Sequence, residues 1–181
     1  MSDCCAAKAE PASKNTAACP VSGTTGATVE LQTVKAVLTT EGLRRVTAAA
    51  HRFCADPTCD IVYFADDGTT YSRQDLRVPV WQKEPAGARM VCYCFGENER
   101  DIRTEVVNTG TSDAVERVRA HIKANRCACE LRNPRGTCCL GDVGAAVKRI
   151  SESVTRTATV GEGHERFGTV YDVPDRGARS T

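Results

Sequence analysis

The chain has 181 residues, with 24 Lys and Arg against 23 Asp and Glu, a formal net charge of +1, and 41% hydrophobic residues. That near-neutral balance excludes the electrostatic footprint of a nucleic-acid or membrane-surface binder, and no apolar run approaches the roughly 20 residues of a membrane span. The size suits one ordinary domain or two small ones, while 5% aromatics predict a thin core and eleven cysteines predict help from metal ions.

In chain order, residues 1–18 are rich in Ala, Ser, Lys and Pro without periodicity and predict a disordered tail carrying Cys4 and Cys5. This opening has no apolar core of signal-peptide type, which predicts a cytoplasmic protein. An odd number of cysteines in a reducing compartment points to metal ligation rather than disulfides.

Residues 19–87 predict a β-rich unit. It opens on the turn-rich CPVSGTTG, continues through an apolar segment around Val29–Leu38, and then folds HRFCADPTCDIVYFADDGTTYS into a hairpin. The predicted strands are 51–54, 61–64 and 69–72, with Asp67-Gly68 at the tight turn. Pro79, Pro85 and Gly87 mark a linker.

Residues 88–150 predict three short helices. The first is capped by Asn98, carries Ile102 and Val106 on one face and stops at Gly110. The second has Asp113 and Glu116 at capping-box spacing and carries Val115, Val118 and Ile122. The third follows the last cysteine pair with Val143, Ala146, Val147 and Ile150 at helical spacing. Residues 151–181 gather Gly, Arg, Thr and Ser and predict a flexible tail. The expected fold class is α+β: a small β-hairpin unit, a short three-helix domain, and a tail at each end.

The cysteines carry the chemistry. Cys92 and Cys94 precede the first helix of the second unit, and Cys127, Cys129, Cys138 and Cys139 lie between its second and third helices. Two helices thus return two cysteine loops to the same end. A disulfide between Cys92 and Cys94 would strain the sulfur geometry. Thiolates converging from Gly- and Pro-rich loops suit zinc or a [2Fe–2S] cluster, and the C-x-C spacing favours iron–sulfur over a zinc knuckle. The bland alternative is a set of buried free thiols serving as small apolar residues. In the first unit, Cys54 and Cys59 form a C-x4-C knuckle of normal zinc spacing on the hairpin bend. His51 reads as an ordinary strand residue, His121 and His164 as solvent-facing, and Asp60, Asp66 and Asp67 as turn and surface residues.

VCYCF followed by two helices, a cysteine, NPRG and TCCLG resembles the iron–sulfur domain of CopZ-type metallochaperones, which is itself similar to the bacterioferritin-associated ferredoxin domain. CPVSG and FCADPTCDIVYF resemble the zinc-binding unit that precedes it in the same family. The resemblance spans about residues 19–150. It implies one [2Fe–2S] cluster on Cys92, Cys94, Cys129 and Cys139, with Cys138 as the fallback for the fourth position and Cys127 without a counterpart. It implies a zinc on Cys19, Cys54 and Cys59. The family's first knuckle is C-P-x-C, so Ser22 stands where a ligand is expected, and Cys5, Cys4, His51 or a water would complete the site; Cys5 is our choice.

The family reading further implies copper handling, with an electron turning Cu(II) into the Cu(I) that thiolates prefer, and a metal-transporting ATPase or a redox protein as partner. In well-formed members a C-terminal ferredoxin-like domain with an M-x-C-x-x-C loop carries the copper; residues 151–181 contain no cysteine, which leaves Cys4-Cys5 as the candidate carrier. The alternatives are a small ferredoxin-type electron-transfer protein and a zinc-stabilised interaction module. No Walker loop, G-x-G-x-x-G turn or H-E-x-x-H helix is present, and we expect no enzyme beyond cluster-driven reduction of a metal ion.

Overall fold

A computed structural model describes residues 17–161 of the chain. In the first part of the chain, β1 (Ala27–Val29), α1 (Leu31–Val37), α2 (Thr40–Arg44), β2 (His51–Phe53), β3 (Ile61–Ala65) and β4 (Thr70–Ser72) follow in order. The strands pair antiparallel in the order β1-β2-β3-β4. The segment 29–38 therefore divides into the end of a strand and a helix, and the hairpin gains a fourth strand from upstream.

The period-2 alternation of a strand separates two environments. Phe53, Tyr63 and Tyr71 pack with Val34, Val37 and Leu38 in the main apolar cluster. The intervening residues Cys54 and Phe64 belong to a separate small cluster with Cys19 and Cys59. Gly26 lies so close beneath Phe64 that a β-carbon there would meet the ring at 2.5 Å.

The second part begins with a two-stranded ribbon, β5 (Met90–Cys92) and β6 (Glu97–Asn98), followed by α3 (Glu99–Thr109), α4 (Ala114–Lys123), α5 (Cys129–Arg132) and α6 (Leu140–Gly161). Asn98 caps α3 by accepting the Asp101 N–H at 3.0 Å, and Gly110 ends the helix with φ of 81°. Val91, Ile102, Val106, Ala114, Val118, Val143, Ala146 and Ile150 form the core. Three departures from the sequence expectation stand out. The ribbon and α5 are additional elements. The Asp113 carboxylate makes no capping bond, because Glu105 reaches across to take the Asp113 N–H at 3.2 Å and the Ser112 hydroxyl takes that of Ala114 at 3.3 Å. Residues 151–161, expected to be a flexible tail, continue α6. Val154 packs against the core cluster there, and apolar packing extends a helix that propensity alone would not.

The two parts are joined by hydrogen bonds to backbone carbonyls. The Tyr63 hydroxyl donates to Pro134 O at 2.6 Å, and burial holds its pKa well above the usual range. Thr33 Oγ1 donates to Glu130 O at 2.7 Å. Within the NPRG turn, Asn133 Nδ2 donates to Thr137 O at 2.7 Å, and Gly136 takes φ of 68° while facing Thr33. A β-carbon at Gly136 would sit 2.9 Å from Thr33 Oγ1, so both the left-handed backbone and the close approach require glycine. Replacing Gly136 by Ala is expected to lower the free energy of unfolding by about 1–2 kcal/mol. Gly144→Ala, in a helix interior with no neighbour within 4 Å of the added carbon, is expected to raise it by about 0.5–1 kcal/mol. Urea denaturation of the two variants should give midpoints on opposite sides of wild type.

Candidate metal centres

The sheet and the CPVSG turn build the first centre. Cys19 N–H donates to Thr24 O and Gly23 N–H to Cys19 O, both at 2.9 Å, which curls the turn around the thiol. Cys54 sits at the end of β2, held by its N–H to Val62 O at 2.9 Å, and Cys59 closes the ADPT loop with its N–H on Asp56 O at 3.3 Å. The three sulfurs all lie within 4.8 Å of one another and all three residues are buried. Cys19 Sγ and Cys59 Sγ are 3.9 Å apart. Among the described residues this is the one group of three or more potential ligands so tightly drawn together.

The fourth corner holds Ser22, whose hydroxyl lies 3.4 Å from Cys54 Sγ and accepts the Thr24 N–H at 3.3 Å. Burial raises the Cys19 thiol, but the backbone N–H and hydroxyl of Ser22, the Val21 N–H and the Cys54 thiol outweigh it and lower the pKa to about 7. Burial, followed by the neighbouring Cys54 and Cys19, pushes Cys59 up. Three buried sulfurs converging on one point fit a site made for a cation, and the sulfur donor set fits zinc. His51 is buried with both ring nitrogens unpartnered. It stands against the Tyr71 ring at 5.8 Å and is not among the grouped ligands. Cys4, Cys5 and His164 lie outside the described residues.

The second centre lies where the ribbon meets the α4–α5 and α5–α6 loops. Cys94 Sγ and Cys129 Sγ are 3.8 Å apart, and Cys92 and Cys139 are buried together in the adjoining core cluster. Among the described residues no three of the four sulfurs gather as tightly as the first-unit triad. The Cys139 hydrogen bond, against the cost of burial, and the N–H groups of Phe95 and Cys94 lower the Cys92 thiol to about 7. Cys92 first, and then burial, push the Cys139 thiol upward. Burial first, then Cys94, raises Cys129 to about 12. The Ala128 N–H points at Cys94 Sγ from 3.4 Å.

Of the adjacent pair, Cys139 is 2% exposed and faces Cys92, whereas Cys138 is exposed. Cys127 is half-buried and its thiol is raised by burial and then by Cys94, Cys138 and Cys92. His121, expected to face solvent, stacks on Phe95 with ring centroids 3.7 Å apart, and its Nδ1 is buried without a partner. Its i−3 neighbour Val118, a core residue, marks the same face of α4 and was the signal in the sequence that could have found it.

Among the described residues no helix is long and apolar enough to cross a membrane. Fold and sites together define a small α+β protein that holds metal through cysteine sulfur. Residues 16–77, which contain the sulfur triad, match a family model described as a zinc binding domain of CopZ type. The chain is 32% identical over 121 residues to the copper chaperone CopZ of Archaeoglobus fulgidus, an alignment covering 67% of this chain and 57% of the relative. It is also similar to the X-ray structure of the Archaeoglobus fulgidus CopZ N-terminal domain, with a TM-score of 0.57, 29% identity, and coverage of 67% of this chain and 91% of that one.

Zinc at 100 times its dissociation constant is expected to stabilise the chain by about 2.7 kcal/mol, and Cys54→Ser is expected to abolish that gain in thermal denaturation. Ser22→Cys, which supplies the fourth thiolate, should tighten zinc binding and slow its release to a chromophoric chelator, whereas Ser22→Ala should leave both close to wild type.

Proposed function

We propose that this chain is a CopZ-like metallochaperone that holds one zinc in its first unit and one [2Fe–2S] cluster in its second, and that hands electrons, soft metal ions such as copper, or both to a partner protein. The observation that carries the cluster reading is the approach of Cys94 and Cys129, with 3.8 Å between their sulfurs, beside Cys92 and Cys139, which are buried in the core cluster that Cys94 packs against. No three of these sulfurs gather within the 4.8 Å that draws the first-unit triad around one point. A single tetrahedral ion wants all four ligands around one centre. A two-iron cluster takes two sulfurs per iron. The N–H groups of Cys94 and Phe95 at Cys92 and of Ala128 at Cys94 suit anionic sulfur and favour the reduced form.

When bound, such a cluster would supply one electron at a time, enough to convert a Cu(II) ion to Cu(I). The chain's own part is to bury Cys92, Cys129 and Cys139 and half-bury Cys94, to aim amide hydrogens at Cys92 and Cys94, and to leave Cys138 exposed and Cys127 half-buried beside them. The zinc would rest on Cys19, Cys54 and Cys59, with Cys5 completing the set. Cys4 and Cys5 would offer a dithiol for Cu(I), and a metal-transporting ATPase is the partner that chemistry fits. A cytoplasmic location and the lack of an enzymatic reaction on an organic substrate belong to the same reading. A second reading, a ferredoxin-type electron-transfer protein without a copper role, uses the same cluster and no carrier.

Iron and zinc analysis with paramagnetic resonance of the dithionite-reduced, anaerobically purified protein is expected to give about two irons and one zinc per chain and a signal of a reduced [2Fe–2S] centre. Cys94→Ser should remove the signal while keeping the zinc. A colourless protein containing zinc alone would sink both redox readings. Competition titration with Cu(I) is expected to show tight binding that weakens in the Cys4→Ser/Cys5→Ser double variant; equal, weak binding by both proteins would favour the ferredoxin reading.

A further inference from the structure

A partly open cavity of about 570 Å³ runs along the seam between the two units. Val37 of α1 and Val78 line its first-unit side, and Tyr93, Ala128 and Leu131 line the other. Leu131 is 47% exposed, so a large apolar side chain stands in water at the edge of an apolar floor. Arg77 and Arg132 add one cation from each side. Both are exposed, and neither takes part in an ion pair among the described residues. By contrast Arg117, Arg135 and Arg149 of the second unit each hold a carboxylate. No Asp or Glu is among the described residues that line the cavity. Arg77 is pinned in place, with its N–H on Val37 O at 2.8 Å and its guanidinium on Ala36 O. Thr33 of α1 donates to Glu130 O of α5 at 2.7 Å, which ties the two walls together. The floor adjoins the second centre: the Ala128 N–H points at Cys94 Sγ from 3.4 Å, and Tyr93 stands between Cys92 and Cys94 in the chain.

We propose that this groove is the docking site of a partner protein, which seats in it a segment carrying carboxylates among apolar side chains. Charge complementarity selects that occupant, because each wall offers a guanidinium and neither offers an acid to meet it. A guanidinium takes a carboxylate in a forked pair of bonds, which fixes orientation as well as adding energy. The apolar floor takes the partner's aliphatic side chains and removes Leu131 from water, giving a buried centre with a charged rim. A segment seated there lies over Tyr93 and Ala128, the chain neighbours of Cys92, Cys94 and Cys129. Docking would thus bring the partner's acceptor against the second centre. That use of the groove rests on the metallochaperone reading; the docking itself does not.

The test uses the anaerobically purified full chain and an array of short fluorescent peptides that combine Glu and Leu at helical and extended spacings, with copies carrying Gln in place of Glu. Anisotropy is expected to show binding of Glu peptides that weakens with added salt, and none of their Gln copies. Arg77→Gln and Arg132→Gln are each expected to weaken binding about 2–5-fold, the range of one exposed ion pair, and Leu131→Ser by a similar factor. Arg103→Gln, an exposed position of α3 outside the cavity, should leave binding unchanged. All four positions are exposed, and circular dichroism checks that each variant folds. Failure of every peptide to bind wild type would overturn the proposal, as would an equal loss in Arg103→Gln, which would mark a general charge effect. Displacement by inorganic phosphate beyond that by chloride at equal ionic strength would reassign the groove to small anions. Phosphatidylglycerol vesicles that bind in place of the peptides, through the same arginines, would reassign it to a membrane surface. An iron-free protein that still binds peptide through the groove would overturn the cluster reading and leave the docking standing. An iron-loaded protein that binds none would do the reverse.

Discussion

Sulfur atoms held less than 4 Å apart repel once they ionise, by about 4 kcal/mol per pair at an effective dielectric of about 20. Both halves of this chain nevertheless fold so as to force such crowding: Cys19 on Cys59 at 3.9 Å and Cys94 on Cys129 at 3.8 Å. Without a cation the conflict is resolved by protonation. With a cation the same crowding becomes the source of affinity. The small aromatic content and the thin apolar clusters make sense on these terms, because a metal that binds only the folded chain supplies folding free energy.

The two centres occupy one continuous structure. Tyr63, at the heart of the first core, ends on the carbonyl of Pro134 in the turn between Cys129 and Cys138. Tyr93, flanked by Cys92 and Cys94, donates to Pro79 O at 2.7 Å and receives the Trp81 N–H. Burial raises the pKa of both tyrosines, which keeps them neutral and able to donate. Glu99 performs a similar task with charge: it is 3% exposed, accepts the Gly87 N–H at 2.6 Å and pairs with Arg149 of α6, tying the linker to the helices. A shared carbonyl or carboxylate at each joint makes the placement of one thiol loop depend on the other unit.

Local signals were legible wherever the cause is local. Asn98 and Gly110 mark the ends of α3 because a cap and a left-handed residue act within one turn. Strands around 51–53, 61–65 and 70–72 follow from β-branched and aromatic alternation with Asp67-Gly68 between the last two. The same reasoning missed β1, since three residues with one buried side chain are recognisable only once β2 offers them a partner. It ended α6 too soon, because Val154 gains its helical role from contact with the second core, and it read a capping box at Asp113 that Glu105 pre-empts from the preceding helix.

Sequence by itself determined which atoms are available: eleven thiols, a C-x4-C knuckle, a C-x-C pair, a serine in place of a fourth cysteine, and turns that bring them near helix ends. Spacing reports the chemistry of a ligand set because neighbouring residues cannot lie far apart. Tertiary structure alone decided which thiols meet. It set Cys139 rather than Cys138 against Cys92, withdrew His51 into the core, laid His121 on Phe95, and brought Arg77 and Arg132 to one cavity. Those choices depend on which side of a helix or strand faces the partner element, and that is fixed by contacts between residues dozens of positions apart, whose burial and pairing no local pattern encodes.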